Sequence, residues 1–353
     1  MKRCVIQFAC LAALLLLTLV PGGQATASGA GGFAGSKAGR IVLGYYCEDY
    51  PGDNLSYNSL AKHHALIDAV VTFNYLVDGK GNLTGQPLRK GVGLAKKNNV
   101  KPLMLIHNLD GYFDPGRAHS VLANVEYRRN LEKNILKEIQ NGGFDGVNID
   151  LEAVPPGDRN HYTVFLGELR DMFRPYGYLL TVSIPAKSSD DSQNAWSGAY
   201  DYRAIGRLAD LVAIMTYDEH WSGGEPGPVA SFGWVQHALD YAIQTIPRQK
   251  ILMGIAAYGY DWSDGGARVL SWAVVNRLTA QYNSARWSDQ FCSPYTTYRD
   301  SGGSYHEIWF ENKYSLALKL DLARAYGVGG VAVWRLGMED ESLWETLQNK
   351  LTG

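Results

Sequence analysis

Short hydrophobic runs alternate with amphipathic segments along most of the chain. Eight runs are nearly uninterrupted by polar residues, which is typical of parallel strands buried on both faces. The predicted strands are Ile41–Tyr46, Val70–Tyr75, Pro102–His107, Gly146–Leu151, Leu179–Ile184, Leu211–Tyr217, Ile251–Ala257 and Gly330–Trp334. Helical periodicity separates many of them and is clearest at Tyr127–Ile139, Arg159–Phe173, Gly233–Ile246 and Ser315–Ala325.

Eight strands with intervening helices predict an α/β fold, specifically a (β/α)8 TIM barrel. A doubly wound open sheet is the alternative. No glycine-rich phosphate loop follows the first strand, where Gly44-Tyr45-Tyr46 leads into Cys47-Glu48-Asp49. This absence disfavours a dinucleotide-binding open sheet.

One connection is longer than a barrel requires. About fifty residues, roughly 261–312, separate the seventh strand from the last helix. Within them Pro294–Arg299 and Tyr305–Phe310 flank the turn-forming sequence Asp300-Ser301-Gly302-Gly303, which predicts a β-hairpin. We expect a small α+β insertion that forms one wall of a cleft above the barrel.

The N-terminus predicts export from the cytoplasm. Lys2 and Arg3 precede an apolar run from Val5 to Val20, and Ala25-Thr26-Ala27 supplies the small residues of a cleavage site. A retained membrane anchor is the alternative, because a span needs about 20 apolar residues. We expect a signal peptide at 1–27, a flexible Gly- and Ser-rich leader at 28–39 and the barrel at 40–353. The protein is then secreted or extracytoplasmic, with no membrane contact after cleavage.

Composition narrows the possible partners. The formal net charge of −2 becomes −4 without Lys2 and Arg3, so nucleic acid is not an expected partner. Cys47 and Cys292 remain after cleavage, and the sequence leaves open whether they form a disulfide. No Cys and His spacing indicates a metal site, and no cofactor is expected. Nine Trp and 22 Tyr residues suit a sugar-binding cleft but also suit a large core.

The fourth predicted strand carries the candidate chemistry. Side chains two residues apart on a strand share a face, so Asn148, Asp150 and Glu152 point one way and the apolar residues between them point the other. The apolar set suits the layer beneath the helices, which places the polar set inside the barrel, rising toward its C-terminal mouth. Two desolvated carboxylates on one face are costly, so their presence favours a catalytic role over a salt bridge or a cap.

These residues resemble a known enzyme family. Asp-Gly-x-x-x-Asp-x-Glu at Asp145–Glu152 is similar to the signature of glycoside hydrolase family 18, the chitinase-like enzymes. Met215-Thr216-Tyr217-Asp218 resembles the Met-x-Tyr-Asp element of that family, and Trp334 its tryptophan floor. The first strand also fits, so the resemblance covers most of residues 40–350.

A finer resemblance is to the spore cortex-lytic, or spore germination, N-acetylglucosaminidases of endospore-forming bacteria. It rests on Gly146–Glu152 followed by Val154-Pro155-Pro156, on Tyr217–Trp221 with Pro226–Ser231, and on Trp309-Phe310-Glu311. The chain lacks the repeated peptidoglycan-binding modules that several of those proteins carry, which leaves anchoring to the wall in question.

The resemblance implies retaining, substrate-assisted hydrolysis of β-1,4 bonds after N-acetylglucosamine. In that mechanism Glu152 is the general acid and base, and the acetamido group of the substrate attacks its own C1 to form an oxazolinium ion. Asp150 holds the acetamido N–H and raises the pKa of Glu152, and Tyr217 donates to the acetamido oxygen. Trp334 is the floor of the −1 subsite.

Further residues are candidates for substrate binding. Met215 and Asp218 accompany Tyr217, with Asp218 expected to support Tyr217 or Asp150. Tyr45 and Tyr258 are candidates for outer subsites, as are the aromatic residues Tyr260, Trp221 and Trp262. Many family members carry Asp where this chain has Asn148, so the proton sharing between Asp150 and Glu152 is expected to differ from theirs.

Two other functions are compatible with the sequence. One is hydrolysis of chitin or of the chitin-type core of N-linked glycans, and the other is a non-catalytic lectin that binds chitin or peptidoglycan. Lectins on this fold typically lack the acid, whereas Glu152, Asp150 and Tyr217 are all present. An enzyme acting as a monomer on an N-acetylglucosamine polysaccharide, either peptidoglycan or chitin, is therefore expected.

Overall fold

The computed structural model describes residues 36–351, so the predicted signal peptide and most of the predicted leader lie outside the described residues. This part of the chain contains sixteen strands and ten α-helices. The strands are β1 Ile41–Tyr46, β2 Ala69–Val77, β3 Leu83–Thr84, β4 Lys101–His107, β5 Leu109–Asp110, β6 Tyr112–Phe113, β7 Gly146–Asp150, β8 Leu179–Pro185, β9 Leu211–Met215, β10 Ile251–Ala256, β11 Tyr258–Ser263, β12 Gly266–Ser271, β13 Ala285–Ser288, β14 Ser293–Arg299, β15 Tyr305–Phe310 and β16 Gly330–Trp334. The helices are α1 Leu55–His63, α2 Arg89–Lys97, α3 Pro115–Ala123, α4 Val125–Gly142, α5 Arg159–Phe173, α6 Tyr202–Leu208, α7 Phe232–Thr245, α8 Trp272–Tyr282, α9 Lys313–Tyr326 and α10 Glu341–Leu351.

Eight parallel strands close into a barrel in the order β1-β2-β4-β7-β8-β9-β10-β16. Closure follows from β1, which pairs in parallel with β2 on one side and with β16 on the other. Helices lie between successive strands, and the predicted (β/α)8 barrel is confirmed. The eight predicted strands are these eight, and two of them, β1 and β16, have the predicted bounds.

The strands are hydrophobic throughout because both of their faces are buried. Val147, Ile149 and Leu151 belong to the apolar layer between the strands and the helices. Leu103 and Leu105 pair with Gly146 and Asn148 in the neighbouring strand and belong to a second apolar cluster inside the barrel. Polar side chains inside the barrel are few, and Asn148 and Thr181 are bonded to each other there.

The start of β7 requires glycine. A Cβ atom at Gly146 would lie 2.2 Å from the carbonyl oxygen of Leu179 on the neighbouring strand. This close approach lets β7 and β8 pair in register, Gly146 opposite Leu179, at the base of the strand that carries the two carboxylates.

The end of the predicted leader is packed against the barrel rather than flexible. Ala38 is buried, and the backbone N–H of Lys37 donates to Asp68 Oδ1 at 2.8 Å. The Lys37 ammonium group also donates to the carbonyl of His64 at 3.0 Å. The predicted boundary at residue 39 is thus too late for the residues that the structure describes.

The insertion is an antiparallel five-stranded sheet in the order β12-β11-β15-β14-β13, together with helix α8. The predicted hairpin is confirmed as β14 and β15, paired from Tyr295 and Trp309 to Arg299 and Tyr305. The sheet begins at Tyr258 and not near residue 261. No boundary is visible in the sequence there, because only Ala257 separates β10 from β11 and the two strands form one hydrophobic run.

A buried ion pair joins the insertion to α9. The Lys319 ammonium group lies 2.5 Å from Glu311 Oε1, and both side chains are at most 5% exposed. Glu311 Oε2 also accepts a hydrogen bond from Ser315 at 2.7 Å. Removing one member of such a pair leaves an uncompensated charge in a medium that solvates it poorly.

We therefore expect Lys319→Met to lower the free energy of unfolding by about 3–5 kcal/mol. The double variant Glu311→Gln/Lys319→Met removes both charges and keeps the acceptor for Ser315, so it should recover most of that loss. Urea unfolding of the three proteins measures the difference. Equal losses in the single and double variants would mean that the charge on Glu311 is solvated after all.

Candidate active site

Strand β7 places two carboxylates in a cleft at the C-terminal mouth of the barrel. Asp150 is the last residue of β7, and Glu152 lies two positions further on the same face. Both line a cavity of about 830 Å³. The orientation expected from strand alternation is confirmed, because Val147, Ile149 and Leu151 all pack on the opposite side.

Asn148 lies beneath the cleft. Its side chain is fully buried, donates to Thr181 Oγ1 at 3.0 Å and accepts from Ser183 Oγ at 2.9 Å. Ser183 in turn shares a 2.7 Å hydrogen bond with the Tyr45 hydroxyl, which lines the cleft. Asn148 has no surface that a substrate can reach, so its assignment to substrate binding is wrong and it is a support for the layer above.

The backbone of Glu152 is held by a residue that the sequence did not single out. Asn108 accepts from the Glu152 N–H at 2.9 Å and donates to the Glu152 carbonyl at 2.8 Å. The next residue, Ala153, has a φ of 52°, a left-handed conformation that is uncommon for residues with a side chain. The paired hydrogen bonds of Asn108 fix the chain just before this turn. A lone Asn after a strand gives no sequence signal of this role.

Burial raises the pKa of both carboxyl groups. For Asp150 desolvation is the cause, and Asp150 Oδ1 is buried without a hydrogen-bond partner. For Glu152 desolvation is again the largest cause, and the negative charges of Asp150 and Asp218 raise the pKa further. Glu152 is therefore the group that keeps a proton as the pH approaches neutrality.

The raised pKa predicts a stability effect with a definite sign. A carboxyl group in an unfolded chain has a pKa of about 4.3, so the folded protein binds the Glu152 proton more tightly than the unfolded chain does. The resulting stabilisation is present below about pH 4 and is lost as the pH rises toward the folded value, by up to about 1.4 kcal/mol per pH unit.

Glu152→Gln should therefore be more stable than the parent at pH 8 and gain nothing at pH 4. Urea unfolding at pH 4, 6 and 8 measures this difference. Asp171→Asn, which removes an exposed carboxyl group from α5, is the matched control and should follow the parent profile. A Glu152→Gln profile parallel to that of the parent would show that Glu152 titrates normally.

Tyr217 and Asp218 follow strand β9. Tyr217 is buried to 9% exposure and lines the cleft, as does Met215. Asp218 has a φ of 62°, and its Oδ1 accepts hydrogen bonds from the hydroxyls of Tyr258 and Tyr260, the latter at 2.9 Å. Asp218 is thus held by two tyrosines of the insertion, rather than acting as a hydrogen-bonded support of Tyr217 or Asp150.

Tyr258 was predicted as an outer subsite, and the structure places it elsewhere. Its side chain is 2% exposed and does not line the main cleft, because the hydroxyl is turned toward Asp218. Sequence position alone could not show this, since only Ala257 separates β10 from β11, and β11 belongs to the sheet of the insertion and not to the barrel.

Trp334, the predicted aromatic floor, lines the cleft. Its ring makes edge contacts with Tyr45 at 5.1 Å and with Phe73 at 5.6 Å between ring centres. Three further aromatic side chains line the cleft and are 48% to 66% exposed: Tyr112 of the short strand β6, and Trp196 and Trp221 of loops. Phe73, Tyr112 and Trp196 were not predicted as cleft residues, because a single aromatic residue in a strand or loop carries no signal that it faces a cleft.

The residues that the structure describes show no cluster of three or more His, Cys, Asp or Glu side chains able to hold a metal ion. Cys47 is buried directly after β1 and is not joined to Cys292 by a disulfide. Within the same described range, no helix is long and apolar enough to cross a membrane.

A barrel with paired carboxylates at its mouth is an arrangement that glycosidases use, and sequence comparison identifies the family. Residues 42–339 match glycosyl hydrolases family 18, and the chain belongs to that family. It is 33% identical to the uncharacterized glycosylase YvbX of Bacillus subtilis over 99% of both chains. It is 32% identical to the cortical fragment-lytic enzyme of Bacillus subtilis over 79% of this chain and about two thirds (66%) of that protein.

Solved structures agree with this placement. The spore cortex-lytic enzyme SleL of Bacillus cereus superposes with a TM-score of 0.84 at 28% identity, covering 89% of this chain and 74% of that one. A chitinase from Chromobacterium violaceum superposes with a TM-score of 0.82 at 35% identity, covering 89% and 99% of the two chains. The protein is a family 18 glycosidase related both to spore cortex-lytic enzymes and to chitinases.

Proposed function

We propose that this protein hydrolyses β-1,4 bonds after N-acetylglucosamine in spore cortex or cell-wall peptidoglycan, by retaining substrate-assisted catalysis. The carrying observation is the carboxyl pair Asp150 and Glu152 at the cleft, in which Asp150 is buried and Glu152 is half-buried. Asp150 lines this sugar-sized cleft, and its carboxylate is suited to a donor that the substrate brings, such as an acetamido N–H.

Glu152 is the proton donor in this proposal. Its raised pKa keeps it protonated near neutrality, as a general acid requires. After it protonates the glycosidic oxygen, the acetamido oxygen forms a bond to C1 as the C1–oxygen bond breaks, giving an oxazolinium ion. Glu152, now ionised, removes a proton from water. That water attacks C1 and opens the oxazolinium ring, with overall retention of configuration.

Asp150 and Tyr217 orient the acetamido group. Asp150 accepts its N–H and offsets the positive charge of the oxazolinium ion, while the Tyr217 hydroxyl donates to its carbonyl oxygen. Trp334 packs against the apolar face of the same sugar, with Tyr45 and Met215 at its edges. Aligning an internal nucleophile in this way removes much of the entropic barrier to attack.

Apart from Asp150, which this proposal assigns to the acetamido group, no described carboxylate of the cleft is a good candidate for the nucleophile of an ordinary retaining glycosidase. Besides the pair, Asp218 and Glu219 are the carboxylates that line the cleft. Asp218 is held by two tyrosines, and Glu219 accepts from the backbone and hydroxyl of Ser231 at 2.6 and 2.9 Å. Both carboxylates are therefore occupied within the protein, and the acetamido group and Asp150 are left to act at C1.

The relatives of this chain favour two polymers as candidate substrates. The cortical fragment-lytic and spore cortex-lytic relatives favour peptidoglycan, and the N-terminal sequence favours action outside the cytoplasmic membrane. Chitin is the second candidate, because the Chromobacterium chitinase is 35% identical and its whole length is matched.

The test is digestion of purified spore cortex peptidoglycan and of chitin oligosaccharides, with Glu152→Gln as the control and mass spectrometry as the readout. New reducing-end N-acetylglucosamine from cortex, absent with the variant, is the expected result. Cleavage of chitin oligosaccharides alone would keep the mechanism and change the polymer. No product from either would overturn the proposed function and favour a lectin.

A further inference from the structure

The loop from Glu219 to Ser231, which we call the β9–α7 loop, is fixed at its base. The Glu219 N–H donates to the carbonyl of Val229 at 3.0 Å. The Glu219 carboxylate accepts from the Ser231 N–H and hydroxyl. The two ends of the loop are therefore held together directly after Tyr217 and Asp218, which line the cleft.

The loop presents one aromatic ring to the cleft. Trp221 lines the cavity and is 55% exposed, a costly position for an indole that contacts no ligand. Its ring lies over Gly223, where an added Cβ would be 2.3 Å from ring atom Cη2. Glycine is needed here for close approach, and a methyl group would push the ring away from its position.

The tip of the loop is held by the insertion. Trp262 on β11 is 8% exposed, and its indole Nε1–H donates to the carbonyl of Gly224 at 3.0 Å. The Gly224 N–H in turn donates to the carbonyl of Trp221 at 2.9 Å, which closes a turn. Trp262 was predicted as an outer subsite, but its burial and its hydrogen bond direct it to the loop instead.

We propose that Trp262 is a positioning residue that holds the Trp221 ring as a platform for a pyranose outside the subsite where the bond is cleaved. The insertion sheet then sets the affinity for longer N-acetylglucosamine oligosaccharides, while Asp150 and Glu152 set the rate of bond cleavage. The apolar face of a pyranose stacks on an indole, and the two hydrogen bonds preorganise that indole before the sugar arrives. The inference rests on the proposed function for its substrate.

The experiment compares Trp262→Phe with Trp309→Phe. Trp309 lies on the neighbouring strand of the same sheet, is 7% exposed and donates its Nε1–H to Glu307 at 2.8 Å, with no bond to the loop. Both variants lose one indole N–H and keep a ring. Dissociation constants for chitin oligosaccharides of two to six sugars are measured by calorimetry in a Glu152→Gln background, and KM and kcat in the parent background.

We expect Trp262→Phe to weaken binding of the six-sugar oligosaccharide about three- to tenfold, since the Trp221 ring is then no longer held in position to stack on the sugar. KM should rise by a similar factor with kcat nearly unchanged, and Trp309→Phe should match its parent. Gly223→Ala should weaken binding in the same way as Trp262→Phe. In a Trp221→Ala background Trp262→Phe should have no further effect, because the two residues act as one unit.

Equal losses in Trp262→Phe and Trp309→Phe, or independent effects of Trp262→Phe and Trp221→Ala, would overturn the inference. So would a fall in kcat without a change in KM. If the protein binds oligosaccharides with the expected dependence on Trp262 but the parent cleaves neither polymer, the proposed hydrolysis fails and the positioning role stands.

Discussion

Replacing Glu152 by Gln is expected to lower kcat/KM at least a thousandfold on a natural glycan, while oligosaccharide binding stays close to that of the parent. The amide is nearly isosteric with the carboxyl group but has no proton to give the leaving oxygen, and general acid–base catalysis contributes about 10²–10⁴-fold. The loss should be smaller for a 4-nitrophenyl glycoside, because that leaving group departs with little protonation. Initial rates on both substrates measure the contrast.

Asp171→Asn is the control for this prediction, since it removes an exposed carboxyl group from α5 far from the cleft lining. It should retain parental rates on both substrates. A Glu152→Gln enzyme that keeps more than a tenth of the parental rate on the natural glycan would remove Glu152 from the reaction.

Asp150→Asn is expected to lower kcat about a hundredfold and to move the alkaline limb of the pH–rate profile to lower pH. The amide cannot offset the charge of the oxazolinium ion, and removal of one preorganised electrostatic partner typically costs about 10²–10³-fold in rate. The limb moves because the negative charge of Asp150 raises the pKa of Glu152, and without that charge Glu152 loses its proton at lower pH. The pH dependence of kcat/KM measures the shift.

Asn148→Asp provides a matched comparison, because Asn148 lies on the same face of β7 two residues before Asp150. Asn148 is buried beneath Asp150 and bonded to Thr181 and Ser183, so a carboxylate there adds negative charge in the same polar layer. The alkaline limb of the pH–rate profile of Asn148→Asp should therefore move to higher pH. If Asp150→Asn left the alkaline limb in place, the charge on Asp150 would not control the protonation of Glu152.

The two largest corrections to the sequence-based site concern residues whose neighbours lie far along the chain. Asn148 bonds to β8, more than thirty residues away, and Tyr258 turns toward Asp218, forty residues away. Strand alternation gives the face on which a side chain lies but not whether another side chain covers it. Asn108, which holds the backbone of Glu152, was missed for the same reason.

The fold was more predictable than the site. Eight hydrophobic runs without polar alternation can be satisfied only by strands buried on both faces, and the intervening helices make those strands parallel. The hairpin of the insertion followed from turn chemistry at Asp300–Gly303. The short strands β12 and β13 were not predicted, because they are partly exposed and lack a strong pattern.

The sequence by itself determined the barrel, the strand that carries the carboxylates and the face on which Asp150 and Glu152 lie, because hydrophobic periodicity and alternation are local properties of the chain. Only the tertiary structure decided which groups surround those carboxylates. Desolvation of Glu152, the unpartnered oxygen of Asp150 and the Trp262 contact to the β9–α7 loop all depend on elements that are distant in sequence. Burial and electrostatic coupling are set by what packs nearby in space, and local sequence patterns do not encode those distances.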